Sequence, residues 1–253
     1  VDALLGPATR GRTRSVRAHE LYLRGRFLVD RTTPEDTAAG IEYGRLAVEA
    51  DPHYALAWAG LAGAYASQAA WGWAPLGPTF ELAREAAERA LEIAPDLPEA
   101  HAELAWIRMT FDWNWLGAEQ SYRRALVLGS GNRSIVVGAS LLADNLGQSA
   151  DALALARRAV ELDPMCSIAH GNLALRAFNA GRLDEAAAAA AAALAIQPRG
   201  GLLHWTMGTI RLAQGQVDAA LEAFGREEHE RLRLQGRALA AHAAGHALDA
   251  RRW

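Results

Sequence analysis

The sequence predicts an all-α protein, an α-α solenoid of about six helical hairpins plus a partial seventh. Two observations carry that expectation. First, the segments AVEADP (47–52), ALEIAP (90–95), ALVLGS (125–130), AVELDP (159–164) and ALAIQP (193–198) align, and their leading alanines, Ala47, Ala90, Ala125, Ala159 and Ala193, lie 43, 35, 34 and 34 residues apart. One period of 34 with insertions of nine and one accounts for every interval, and a fixed period of this length marks stacked supersecondary units. Second, each period reads as two amphipathic helices, because its large and small residues recur three and four apart, on one helix face.

With the recurrent proline at position 32, Trp58, Leu61, Ala62 and Tyr65 take positions 4, 7, 8 and 11, and Ala83, Ala87 and Ala90 take 20, 24 and 27. Later units repeat the pattern with Leu173, Ala174, Ala186, Ala190, Ala193 and Pro198, then with Met207, Gly208, Ala220 and Phe224. Small residues at positions 8 and 20 let two helix axes approach, and overfilling such a seam costs about 1–3 kcal/mol. Proline biases its predecessor away from helix, so Asp51-Pro52 and Asp163-Pro164 read as turns between units. Gly147, Gly181, Gly215 and Gly245 fall at turns inside hairpins, and Asp151, Asp184, Asp218 and Asp249 open the helices that follow, where a carboxylate complements the helix dipole. The units run 18–54, 55–97, 98–132, 133–166, 167–200 and 201–234, with a partial seventh over 235–253, all in one domain over 14–253. Residues 1–13 read as a linker. The sixth unit looks degenerate, since Glu227 stands at small position 27 and no proline follows.

This pattern of large, large, small, large on one helix and small residues on the next resembles the tetratricopeptide repeat, which implies a right-handed superhelix. The stretches LYLRGRFLVDRTTPEDTAAGIEYGRLAVEADPHYALAWAGLA and AHAELAWIRMTFDWNWLGAEQSYRRALVLG resemble, more narrowly, the C-terminal repeat region of bacterial winged-helix transcriptional regulators and adenylate/guanylate cyclases. That resemblance implies a regulatory module of a larger polypeptide. It carries over neither a DNA-recognition helix nor a cyclase site.

Composition narrows the function. A formal net charge of −3, with arginine as the only strongly basic residue type, gives no global field toward nucleic acid or membrane. The lone Cys166 cannot form an internal disulfide, and a cytoplasmic location is the expectation. The sequence carries no glycine-flanked serine elbow, phosphate-binding glycine loop or Cys/His pair, so no catalytic residue, metal or cofactor is expected. His242 and His246 share ligand spacing but have no third partner. His101, His170 and His204 share position 4 with Trp58 and are read as packing substitutes for it. Trp113 and Trp115 are read as capping a seam, with a docking site as the alternative; Trp71 and Trp73 either fold over the second unit or form a lip beside the groove; Arg10, Arg12, Arg14 and Arg17 are read as solvated.

In the architecture that the resemblance implies, first helices line the concave face. The candidate partner-binding residues there are Trp106 in the third unit and Leu141, Asp144 and Asn145 in the fourth. The fifth supplies Asn172, Leu175, Phe178 and Asn179, and the sixth supplies Leu202, Trp205 and Thr209. An apolar stripe with a few amides suits a peptide with hydrophobic anchors. A carboxylate clamp is not expected, because only Asn172 fits it. The expected partner is a protein or peptide; a second copy of the chain is an alternative occupant, and a small-metabolite sensor is the alternative function.

Overall fold

A computed structural model describes residues 11–199 and 202–245 of the chain. Arg10, His246 and Asp249 lie outside the described residues. Within them the chain forms thirteen α-helices and no strand. The hairpins are α1 (Val16–Val29) with α2 (Pro34–Ala50), α3 (Ala55–Ala70) with α4 (Leu76–Ile93), and α5 (Pro98–Thr110) with α6 (Trp115–Leu128). They continue with α7 (Arg133–Asn145) and α8 (Ser149–Leu162), α9 (Ser167–Asn179) and α10 (Leu183–Ile196), and α11 (Leu203–Ala213) and α12 (Val217–Gly225), before α13 (Glu230–Ala243). The chain divides into two compact units, Val1–Gly138 and Ala139–Trp253, the division falling inside α7. No helix among the described residues is long and apolar enough to cross a membrane.

The hairpins close on the small residues that the repeat places between them. Ala62, Ala83 and Ala90 in the first unit and Ala174, Ala186 and Ala193 in the second are fully buried. Successive first helices pack side by side, α1 on α3 and α3 on α5, and in the second unit α9 on α11 and α11 on α13. The second helices α2 and α4 stay apart, with a cavity of about 630 Å³ between them. The first helices therefore form the inner side of each unit.

The hairpin turns share one backbone device, a residue at positive φ: Gly72, Gly147, Gly181 and Gly215 at 71 to 75°. Thr32 (54°) and Trp113 (55°) fill the same role without glycine's freedom, a conformation that costs an L-residue about 1–2 kcal/mol. Gly181→Ala is accordingly expected to lower stability by about 1 kcal/mol in chemical denaturation, although nothing lies within 4 Å of the added carbon. The nine-residue insertion lengthens α3 and α4 to 16 and 18 residues, against 13 and 14 in α9 and α10. In its loop the Trp71 and Trp73 rings stack on each other at 5.6 Å.

The junctions between hairpins carry a hydrogen bond that the spacing alone does not announce. Trp58 donates its indole N–H to the Pro52 carbonyl at 3.0 Å. His101, His170 and His204 place Nε2 at 2.9, 2.9 and 3.0 Å from the carbonyls of Pro95, Pro164 and Pro198, each six residues back. A carbonyl only accepts, so each Nε2 carries hydrogen. These half-buried histidines replace Trp58 as packing groups and also as ring N–H donors. At the one junction with Ser130 in the proline slot, the donor slot holds Val136. His170→Phe is expected to cost about 1 kcal/mol by orphaning an acceptor, while His170→Trp costs less; thermal unfolding of both variants tests this.

The last hairpin departs from the repeat. Helix α12 has only nine residues, and α13 starts at Glu230, inside the range that the sequence assigns to the sixth unit. Glu227 turns inward and is 3% exposed. Its carboxylate accepts from the backbone N–H of Trp205 in the first turn of α11 and of His229 at the start of α13, at 3.1 and 3.2 Å. The residue that reads as degenerate thus caps two helix N-termini.

Candidate binding surface on the inner helices

The second unit holds all but one of the candidate residues. Asp144 on α7 accepts from Asn179 Nδ2 of α9 at 2.7 Å and pairs with Arg176 at 3.2 Å, while Asn172 donates to Ser140 Oγ at 2.7 Å. These polar groups tie α9 to α7 and are not idle toward a ligand. The Arg176 side chain is buried beneath them; its Nε has no hydrogen-bond partner, and Nη1 faces Asp144 off-line. Burial pulls its pKa below the usual arginine range, against the pull of Asp144.

The aromatic candidates are seated more deeply than an anchor-lined groove requires. Phe178 packs against the Ala174, Ala186 and Ile210 cluster, and the Trp205 ring lies 5.2 Å from Phe224. Trp106, in the first unit, packs against the cluster built on Phe80 and Ile107. Thr209 returns its hydroxyl to the Trp205 carbonyl, and Leu141 is half-buried, with Asn145 exposed. The apolar groups left open on these helices are Leu175 (38% exposed), Leu202 (40%) and Ile168 (50%).

The inner face of the first unit carries further residues, of which the sequence reading places Glu99 on the concave face and passes over Glu103 and Tyr122. Glu99 and Glu103 stand one turn apart on α5, and Glu99 accepts from Asn132 at 3.0 Å. The Glu103 carboxyl lies against Gly63 of α3. Burial, reinforced by the charge of Glu99, pushes its pKa up to about 7. Tyr122 reaches between helices from α6, 4% exposed, with its hydroxyl against Gly138 of α7. Burial and the nearby Glu103 raise its pKa. No sequence signal joins these residues beyond Glu103 falling on an inner helix, four after Glu99.

Elsewhere, Trp113 is 71% exposed and meets Trp115 edge-on at 5.8 Å, so it covers no seam, contrary to the expectation. Thr13 donates to Asp51, and the Gly11 carbonyl accepts from Leu56, which lays residues 11–13 on the second hairpin. The cavity between α2 and α4 is floored by Trp58, Leu61 and Tyr65 and rimmed by Arg45, Glu85 and Arg89. Among the described residues no three His, Cys, Asp or Glu side chains gather as a metal site.

Paired helices that stack first helix on first helix, with alanine at the closest approaches, match solved structures of helical-repeat proteins. The fold is of the tetratricopeptide type. PilW, a widely conserved type IV pilus biogenesis factor, aligns with a TM-score of 0.60 at 18% identity, covering 84% of this chain and 92% of its own. The APC/C hetero-tetramer Cut9-Hcn1 aligns at 0.65 and 18%, covering 88% of this chain and 46% of its own. A human IFIT1 dimer with m7Gppp-AAAA aligns at 0.75 and 16%, covering 93% of this chain; the chain spans 59% of that protein. At such identities the likeness is one of fold. No protein-family model matches the sequence, and no curated protein does.

Proposed function

We propose that the chain is a protein-interaction module that holds a peptide against the inner helices of its second unit, and that it binds rather than catalyses. The observation that carries this reading is that Leu175 on α9 and Leu202 at the start of α11 are left open, with Leu175 one turn from both Asn172 and Asn179, which bond Ser140 and Asp144. Exposed apolar groups beside fixed polar ones provide anchor sites and hydrogen-bonding edges for a peptide. The near-neutral net charge argues against nucleic acid or membrane as the direct partner. The setting belongs to the same proposal: a regulatory protein of the bacterial cytoplasm, as the narrower sequence resemblance implies.

The test is a peptide array with the double variant Leu175→Asp/Leu202→Asp. Peptides with apolar anchors are expected to lose at least tenfold in affinity, about 1.4 kcal/mol, with helicity unchanged by circular dichroism. Unchanged binding overturns the placement, and loss of a concentration-dependent dimer instead names a second copy as the occupant. One observation favours a small-metabolite sensor as a second reading: the cavity between α2 and α4, about 630 Å³, within the usual size range of ligand pockets. Thermal shifts with small molecules that Tyr65→Ala removes would support it.

A further inference from the structure

Glu103, on the inner helix α5 of the first unit, is a carboxylate without a counter-charge. Its oxygens stand 2.9 and 3.1 Å from the place a Cβ of Gly63 would take, so the carboxyl rests in the notch that this glycine leaves in α3. One turn earlier Gly60 accepts the Tyr22 ring of α1 in the same way. Tyr122 from α6 is 4% exposed, with its hydroxyl against Gly138. Neither that hydroxyl nor the Glu103 carboxyl hydrogen-bonds any described residue, yet the two interact electrostatically.

We propose that this notch binds the ammonium or guanidinium group of a lysine or arginine side chain, carried by a peptide lying along α3 and α5. A cation supplies what the carboxylate pair Glu99 and Glu103 lacks, and a tyrosine hydroxyl accepts from an N–H. The absence of a three-ligand cluster among the described residues favours an organic cation over a metal. Around Glu103 the facing groups are Glu99 on its own helix and Tyr122 from α6; α3 and α7 present Gly63 and Gly138. The cations Arg26 and Arg133 act on Tyr22 and Asp30 of α1. The proposal rests on the peptide-binding reading but uses a different unit of the chain.

A bound cation favours ionised Glu103, so binding below neutral pH releases a proton. Affinity is expected to rise about tenfold between roughly pH 6 and pH 8. The experiment is calorimetric titration of the full chain with a capped glycine-alanine heptapeptide bearing one central lysine, run in buffers of different ionisation enthalpy. Arginine, norleucine and glutamate counterparts and free butylamine serve as comparisons. Lysine and arginine peptides are expected to bind with proton release, and norleucine and glutamate peptides are not. Glu103→Gln is expected to weaken binding at least tenfold and abolish the release; Tyr122→Phe is expected to weaken it severalfold and keep the release. Absence of lysine-peptide binding, binding unchanged in Glu103→Gln, binding without proton release, or butylamine binding as tightly as the peptide each overturns the proposal. Apolar-peptide binding lost through Leu175 and Leu202, and retained in Glu103→Gln, keeps the fate of the other reading separate.

Discussion

Glu103→Gln is expected to stabilise the protein by roughly 2–3 kcal/mol near pH 8 and by almost nothing near pH 4. The folded carboxyl titrates at about 7, whereas an unfolded glutamate titrates at about 4.3. Between those values the native state holds a proton that the unfolded state has released, so stability falls as pH rises through the window. Below it both states are protonated, and glutamine is a near-isostere of the acid. Above it the charged form sits desolvated beside Glu99, and glutamine removes that penalty. Partial solvent access keeps the gain below the full conversion of the shift. In a chain of this size the change corresponds to a melting temperature raised by roughly 5–10 °C at high pH. A variant melting alike to the wild type at both pH values would show that the carboxyl is well solvated. Stabilisation combined with loss of cation binding is the pattern of a residue kept for function at a cost in stability.

Phe224→Ala is expected to destabilise the last hairpin by about 3–5 kcal/mol. The ring is fully buried and lies between two glycines from neighbouring helices. A Cβ on Gly208 of α11 would stand 2.5 Å from it, and one on Gly236 of α13 only 2.3 Å. Trp205 closes the third side. The same geometry makes Gly236→Ala costly alone, by about 1–3 kcal/mol through overpacking. In the Phe224→Ala background the added methyl enters empty space, and its cost is expected to vanish. A double-mutant cycle followed by urea denaturation measures that coupling; additive effects would show that the ring does not fill the gap.

The helix order is legible in the sequence because its determinants are local and repeated. Ala174 and Ala186 are spaced so that their small size has one use, and Asp163-Pro164 can only end a helix. The binding surface is less legible, because depth is a property of the assembled hairpins. The frame of positions puts Trp205 and Phe178 on the inner helices, but it does not show that Gly208 and Gly236 leave room for Phe224, against which Trp205 then packs. Glu103 and Tyr122 belong to successive helices and come together at an inner face notched by Gly63 of α3 and Gly138 of α7, so no short motif marks them. Glu227 misleads in the opposite direction: a position that breaks the repeat hides a capping carboxylate. At His101, His170 and His204 the slot is visible, whereas the shared ring N–H that makes tryptophan and histidine interchangeable appears only once the proline carbonyl is in place.

That ring-to-carbonyl tie has a bearing on how the protein is made. It spans six residues, so the four joins that carry it are encoded within a few turns of chain and need no distant partner. Topologies dominated by near-neighbour pairings fold quickly, and ordering can begin at any join and spread in both directions. Whole hairpins can then be gained or lost in evolution at these joins, and a chain emerging from the ribosome can secure each one before the next is synthesised.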